Sequence, residues 1–261
     1  MLEARDLDFG YGGAPIGRNV NLSLQSGEAL CVLGPNGAGK TTLFKTFLGL
    51  IAPIAGEIFL LGRGLPSFKR HEIAEALAYV PQAHAVFFPF TVADVVLMGR
   101  AARIGLFSTP RAADRAAAFD ALAKLRIAHL AEKPYAQISG GERQLVLIAR
   151  ALAQGPLCLV MDEPMANLDL GNQARLIEEI AALRASGLSV LFSSHDPNHA
   201  LICADRVALM HKGALIRVGA PQDVMTTDEL HALYGTMLNV SFSKAAGRYV
   251  CAPVRGGKPE A

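Results

Sequence analysis

Cysteine is sparse. The four in 261 residues, Cys31, Cys158, Cys203 and Cys251, stand far apart with no CxxC pair, so neither a disulfide framework nor a cysteine-held metal is indicated. Three lie in apolar runs, where a free thiol packs as a small hydrophobe, and the set points to a reducing compartment. Charge of one sign is also missing: 25 Lys and Arg against 23 Asp and Glu leave a net +2, evenly spread, which gives no stripe for nucleic acid. No apolar run reaches the roughly 18 residues of a spanning helix; the longest, Val86 to Met98, holds Pro89 and Asp94. The opening MLEARDLDFGYGG carries acidic residues where an export signal has a basic end and an apolar stretch, which predicts a protein that stays inside. No internal repeat or low-complexity tract is visible.

What is present is ample apolar material, 51% of the chain, enough to bury one large core or two lobes. Apolar runs at Ala29–Leu33, Leu157–Met161, Ser189–Ser193 and Val207–Met210 alternate with stretches of helical period such as Gln173–Arg184, the order of an α/β protein with a mostly parallel sheet. The first 28 or so residues alternate apolar and polar around turns at Gly12-Gly13 and Ser26-Gly27, which suits an antiparallel β subdomain. Between Thr91 and Ala136 the pattern turns helical and rich in Ala and Arg. The expected layout is one domain over 1–240, with a core of 1–85 and 141–240, a helical insert over about 86–140, and a partly disordered tail over 241–261.

Two motifs carry chemistry. Gly34-Pro35-Asn36-Gly37-Ala38-Gly39-Lys40-Thr41-Thr42 follows the strand ALCVL and precedes the helical LFKTFLGL, the context required of GxxxxGK[ST]. Its glycines reach the positive-φ geometry that turns successive N–H groups inward around a phosphate, at a helix start whose dipole favours anions. Lys40 would reach the β- and γ-phosphates, and the Thr41 hydroxyl would bind Mg²⁺. The second motif is Cys158–Met161 running into Asp162-Glu163-Pro164, two carboxylates at the end of a buried strand, where α/β sheets bind ligands. Asp162 is the candidate Mg²⁺ holder and Glu163 the group that orients the water attacking the γ-phosphate.

Ser139-Gly140-Gly141-Glu142-Arg143-Gln144, then the helical LVLIARALAQ and the strand ending at Asp162-Glu163, resembles the signature motif of ABC transporter ATP-binding subunits. The resemblance covers nearly the whole chain to about Val240 and implies a P-loop NTPase fold that binds and hydrolyses ATP with Mg²⁺. It also implies roles for further residues. Gln82 in YVPQ resembles the Q-loop, a sensor of the γ-phosphate and Mg²⁺. Ala166-Asn167-Leu168-Asp169 resembles the D-loop, which puts Asp169 at a dimer contact. His195 in SSHD resembles the switch histidine, and Tyr11 the aromatic that stacks on adenine. Three positions depart from the commonest pattern: Ile138 for Leu, Glu142 for Gln, and Met165 for a Thr after Glu-Pro. None touches the residues assigned chemistry.

A Ser-Gly-Gly turn opening a helix offers a hydroxyl and free N–H donors but no lysine or metal ligand. The resemblance implies that Ser139, Gly140 and Gly141 close over the γ-phosphate held by the P-loop of a second copy, giving a head-to-tail homodimer. It further implies a multispan membrane permease docked near Gln82 to Val92, a periplasmic or extracellular binding protein behind it, and a peripheral place on the cytoplasmic face of the inner membrane. The strings VVLMGR and SSHDPNHA resemble importers of metal chelates: siderophores, haem, cobalamin and molybdate. The alternative is an ABC-type ATPase without a permease, such as one serving iron-sulfur assembly.

Overall fold

The computed structural model describes residues 1–82, 89–104, 108–166 and 168–254. In chain order the strands are β1 (Leu2–Tyr11), β2 (Ala14–Leu24), β3 (Ala29–Leu33), β4 (Ala55–Leu60), β5 (Arg63–Gly64), β6 (Leu77–Val80), β7 (Cys158–Met161), β8 (Ser189–Ser194), β9 (Arg206–His211), β10 (Ala214–Gly219), β11 (Leu238–Ser243) and β12 (Arg248–Pro253). The helices are α1 (Lys40–Phe47), α2 (Arg70–Ala76), α3 (Val92–Leu97), α4 (Ala112–Lys124), α5 (Gly140–Ala153), α6 (Leu170–Ala185), α7 (Pro197–Cys203), α8 (Pro221–Val224) and α9 (Thr227–Tyr234). Among the described residues no helix is long and apolar enough to cross a membrane. The chain divides into two compact units, Met1–Leu65 with Leu191–Ala261, and Pro66–Val190.

The first unit opens with an antiparallel sheet in the order β2-β1-β4-β5. The β1–β2 hairpin turns at Gly12 and Gly13, both at positive φ (57° and 82°), the mirror-image turn whose twist matches paired strands. A second sheet runs β10-β9-β3-β8. Here β3 lies parallel to β9 while β10 returns antiparallel at the edge, the mostly parallel arrangement that the sequence suggests with one antiparallel strand added. All five residues of β3 are buried, as a continuous apolar strand covered on both faces must be. Past residue 240, where a tail was expected, β11 and β12 form an antiparallel hairpin in register from Leu238↔Pro253 to Ser243↔Arg248, and β12 packs on α7. The run RYVCAPV is compatible with one extra strand by its sequence; its partner β11 is what the structure adds. The expected disorder of GGKPEA falls on residues outside those described.

The second unit holds the parallel pair β6 and β7, in register from Leu77↔Cys158 to Val80↔Met161. Around it, α5 packs on α3, α4 and β6. The described part of 91–136 is helical, closed by an isolated bridge between Thr91 and Pro134. Thr91 caps α3, accepting from Asp94 N at 3.1 Å, and the Asp94 carboxylate accepts from Thr91 N at 3.1 Å, a reciprocal box that fixes where the helix starts.

Candidate functional site: an anion cradle and a capped corner

In the first unit the phosphate loop is braced from both ends. The Gly34 N–H donates to the Ser194 carbonyl at 3.1 Å, joining the loop to the residue before His195, and the Gly213 N–H donates to the Ala38 carbonyl at 2.9 Å. A Cβ on Gly34 would lie 2.1 Å from the Met210 carbonyl oxygen, so only glycine lets the loop leave β3 so close to β9. Gly37 and Gly39 take φ of 80° and 102°, the left-handed region that a nest of inward N–H groups requires. Pro35 is half-buried, Asn36 exposed, and Ala38 buried. Ile16 and Met210 side chains pack beneath Gly39.

Lys40 begins α1 with only 5% of its surface exposed. Its ammonium donates to the carbonyls of Gly34 at 2.7 Å and Pro35 at 3.1 Å. Its ammonium is thus held at the start of α1 against the carbonyls of its own loop. Thr41 is exposed and Thr42 buried. Tyr11 ends β1 with 51% of its surface exposed. The His195 imidazole is exposed just past β8; its carbonyl accepts from the Tyr234 hydroxyl at 2.9 Å. Ser194 Oγ lies 3.1 Å from His199 Nδ1, and burial holds the His199 imidazole below the usual histidine range against the opposing pull of Asp196.

In the second unit, Gln82 and Asp162 leave the same end of the β6–β7 pair. Asp162 N–H donates to the Val80 carbonyl at 2.9 Å, and Tyr79 Oη donates to Asp162 Oδ2 at 3.4 Å. Asp162 is 4% exposed, Gln82 is exposed and Glu163 half-buried. Glu163 stands at φ 46°, a left-handed conformation costly for a residue with a Cβ, and its carbonyl accepts from Ala166 N–H at 3.0 Å. Met165 is buried, so the position where Thr is commoner faces the core here.

Ser139 is the N-cap of α5. Its Oγ accepts from Glu142 N–H at 3.2 Å, and the Glu142 carboxylate accepts from Ser139 N–H at 2.8 Å, a closed capping box. The bonds from Ser139 hold the Glu142 carboxyl below its ordinary range. Glu142, a departure in the motif, is therefore a working cap. Ser139 and Gly140 are exposed, and nothing approaches Gly140. At Gly141 a Cβ would sit 2.3 Å from the Asn172 side chain. Asn172 is in turn held by Asp169, whose carboxylate accepts from Asn172 N–H and Nδ2 at 2.8 Å each. The structure thus joins two motifs, the Ser-Gly-Gly corner and Asp169, through an asparagine that the sequence reading did not single out. Its spacing of three from Asp169, an N-cap distance, was the available signal. Asn167 lies outside the described residues.

A cleft of about 590 Å³ opens in the same unit, lined by Phe90, Leu97, Met98, Ala101 and Ile104 with Asp94 at its rim. Val86, Phe87 and Phe88, within the stretch Gln82 to Val92 expected to receive a permease, lie outside the described residues.

The sequence profile of the ABC transporter family matches residues 17–166. The chain belongs to the ABC transporter ATP-binding family. An ABC transporter ATP-binding protein of Haemophilus influenzae of unassigned substrate is 42% identical over 90% of both chains. The hemin import ATP-binding protein HmuV of Roseobacter denitrificans is 36% identical over 92% of both. Among solved structures, an inward-facing ABC transporter described as of metal-chelate type superposes with a TM-score of 0.86 at 31% identity, over 97% of this chain and 96% of that one. As an ABC subunit the chain binds ATP and is an ATPase, and its α/β fold with a mixed sheet and an antiparallel N-terminal sheet is that of the family.

Proposed function

We propose that this ABC subunit is the motor of an importer, driving uptake of a metal chelate of the siderophore, haem, cobalamin or molybdate class through a separate permease. The observation that carries the motor reading is the exposed Ser139–Gly140 corner at the start of α5, a set of anion donors with neither lysine nor metal ligand. Such a corner is half a site. Ser139, Gly140 and Gly141 of one copy close over the γ-phosphate of ATP held by residues 34–42 of another, with Asp169 at the contact between copies. Charge-assisted hydrogen bonds are worth about 1.5 to 3 kcal/mol each, and moving a two-state equilibrium from 1:99 to 99:1 takes about 5.5 kcal/mol. Two sandwiched nucleotides supply that. Release of the γ-phosphate removes those bonds and the pair opens.

Within each site, the loop N–H groups and Lys40 bind the phosphates, Tyr11 stacks on adenine, and Thr41 and Thr42 complete the cradle. Glu163 orients and polarises the attacking water, while His195 and Gln82 contact the γ-phosphate side. The donor set of Thr41 hydroxyl, Gln82 amide and Asp162 carboxylate is all oxygen, the hard chemistry that suits Mg²⁺. When bound, Mg²⁺ neutralises charge on the β- and γ-phosphate oxygens. The permease reading is supported by the apolar cleft that Phe90, in the stretch Gln82 to Val92 proposed to receive it, lines together with Leu97 and Met98 from just beyond, and would place the subunit on the cytoplasmic face of the inner membrane. The substrate class is supported by the relative named for hemin import and the metal-chelate type transporter.

Deleting the gene and measuring uptake of each chelate class tests the substrate reading; unchanged uptake of all of them sinks it. Co-purification of the tagged chain with a multispan membrane protein tests the permease.

A further inference from the structure

His195 is exposed, and where its imidazole stands depends on the main chain that carries it. That main chain is tied from several sides. Ser194 carbonyl accepts from Gly34 N–H at 3.1 Å, Ser194 Oγ accepts from Asp196 N–H at 3.0 Å, and Asp196 Oδ1 caps α7 by accepting from Asn198 N–H at 2.8 Å. Two further ties come from the far end of the chain. Tyr234 Oη, on the last residue of α9, donates to the His195 carbonyl at 2.9 Å. Asn198, in the first turn of α7, pairs with both main-chain groups of Cys251 in β12: its Nδ2 donates to the Cys251 carbonyl at 3.1 Å, and its Oδ1 accepts from Cys251 N–H at 2.9 Å.

A side-chain amide is a peptide unit in miniature, and here it completes the outer edge of β12 as a third strand would. A two-stranded hairpin alone is marginal; docked on Asn198 it is anchored. The same run supplies both ties, because Gly235 at φ 68° ends α9 in a left-handed cap and turns the chain into β11. We propose that Tyr234 and Asn198 are positioning residues for His195, so that the segment from α9 through β12 sets where the imidazole stands. The inference rests on the reading of His195 as a γ-phosphate contact, and it gives the C-terminal hairpin a task in the hydrolysis cycle.

The test uses the full-length chain and two mild variants, Tyr234→Phe and Asn198→Ala, with His195→Ala for reference. Steady-state hydrolysis of MgATP is measured beside the ¹³Cε1–¹Hε1 resonance of His195, identified as the signal lost in His195→Ala. Expected is a fall in kcat of about three- to tenfold, the weight of one neutral hydrogen bond borne by the reacting state, with KM for ATP within about twofold and the His195 resonance shifted or broadened. Wild-type kcat in both variants with an unmoved resonance overturns the proposal, as does a fall in kcat while the resonance stays in place. If the resonance moves but His195→Ala hydrolyses ATP at the wild-type rate, the positioning is upheld and the catalytic reading of His195 is what fails.

Discussion

The two candidate anion-binding loops both rest on glycine and are finished differently. Residues 34–42 are clamped by main chain: Gly34 abuts the Met210 carbonyl, Ala38 accepts from Gly213, and a buried lysine lies across the lip. The Ser139–Gly141 corner is clamped by side chains: Glu142 closes the cap and Asn172 fills the space beside Gly141. A loop held by backbone tolerates no change of shape, because strands would have to move. A corner held by side chains can be re-set by a rotamer, which suits the proposed role of meeting a partner copy and leaving it again.

The largest effect should fall on neither loop but on the water-orienting carboxylate. Glu163→Gln keeps size and shape and removes the base, so the hydrolysis rate should drop about 10²- to 10⁴-fold while ATP binding persists, measured by turnover beside equilibrium binding of labelled ATP. Retained turnover would remove Glu163 from the chemistry. Next comes the cradle: Lys40→Ala should weaken ATP binding by about 10- to 150-fold, the weight of a charge-assisted contact, where Ser139→Ala should leave binding to the isolated subunit unchanged and impair only ATP-driven dimerisation. Equal losses of binding in the two variants would erase the contrast between a whole site and a half.

The glycines sharpen it further. Gly34→Ala drives a methyl into the Met210 carbonyl and should cost about 1 to 3 kcal/mol of stability, the usual range for overpacking, read by denaturant unfolding, with no neighbouring substitution to relieve it. Gly141→Ala meets the Asn172 side chain first, so Asn172→Ala in the same chain should restore most of the loss. Failure of that rescue would mean the corner is as rigid as the cradle.

The smallest effects are in pH. Burial depresses the His199 pKa from 6.5, so the unfolded chain takes up the proton first: the contribution is complete above about pH 6.5 and lost as the pH falls below it. Glu142 is depressed from 4.5 by its bonds to Ser139, so its contribution is present above about pH 4.5 and lost as the pH falls through the folded value. Thermal unfolding between pH 7.5 and 5.5 should therefore respond to His199→Gln and not to Glu142→Gln. A response in the opposite order would reverse the assignment of the two windows.

The legible part of this protein is local. GPNGAGKTT and the DE pair after CLVM are readable because their chemistry needs given residue types at given spacings, and β3 and β7 lie within a residue of the apolar runs that announce them. Illegible were the features that depend on distant partners. Past residue 238 the run RYVCAPV suggests a strand but not its partner: β11 and β12 pair with each other, and β12 docks on α7. The compact unit Pro66–Val190 is wider than the helical stretch, because contacts made by α5 and β6 do not show in composition.

By itself the sequence determined the candidate groups: the glycine nest, its lysine, the two acids and the Ser-Gly-Gly corner, each a short string whose backbone and chemistry are set by adjacent residues. Only the tertiary structure decided why Gly34 must be glycine, that Asp169 reaches Gly141 through Asn172, and that Tyr234 and Cys251 return to the His195 segment. Those contacts join residues far apart in the chain, and no local pattern encodes which distant carbonyl or amide will stand 2 to 3 Å away once the strands have paired.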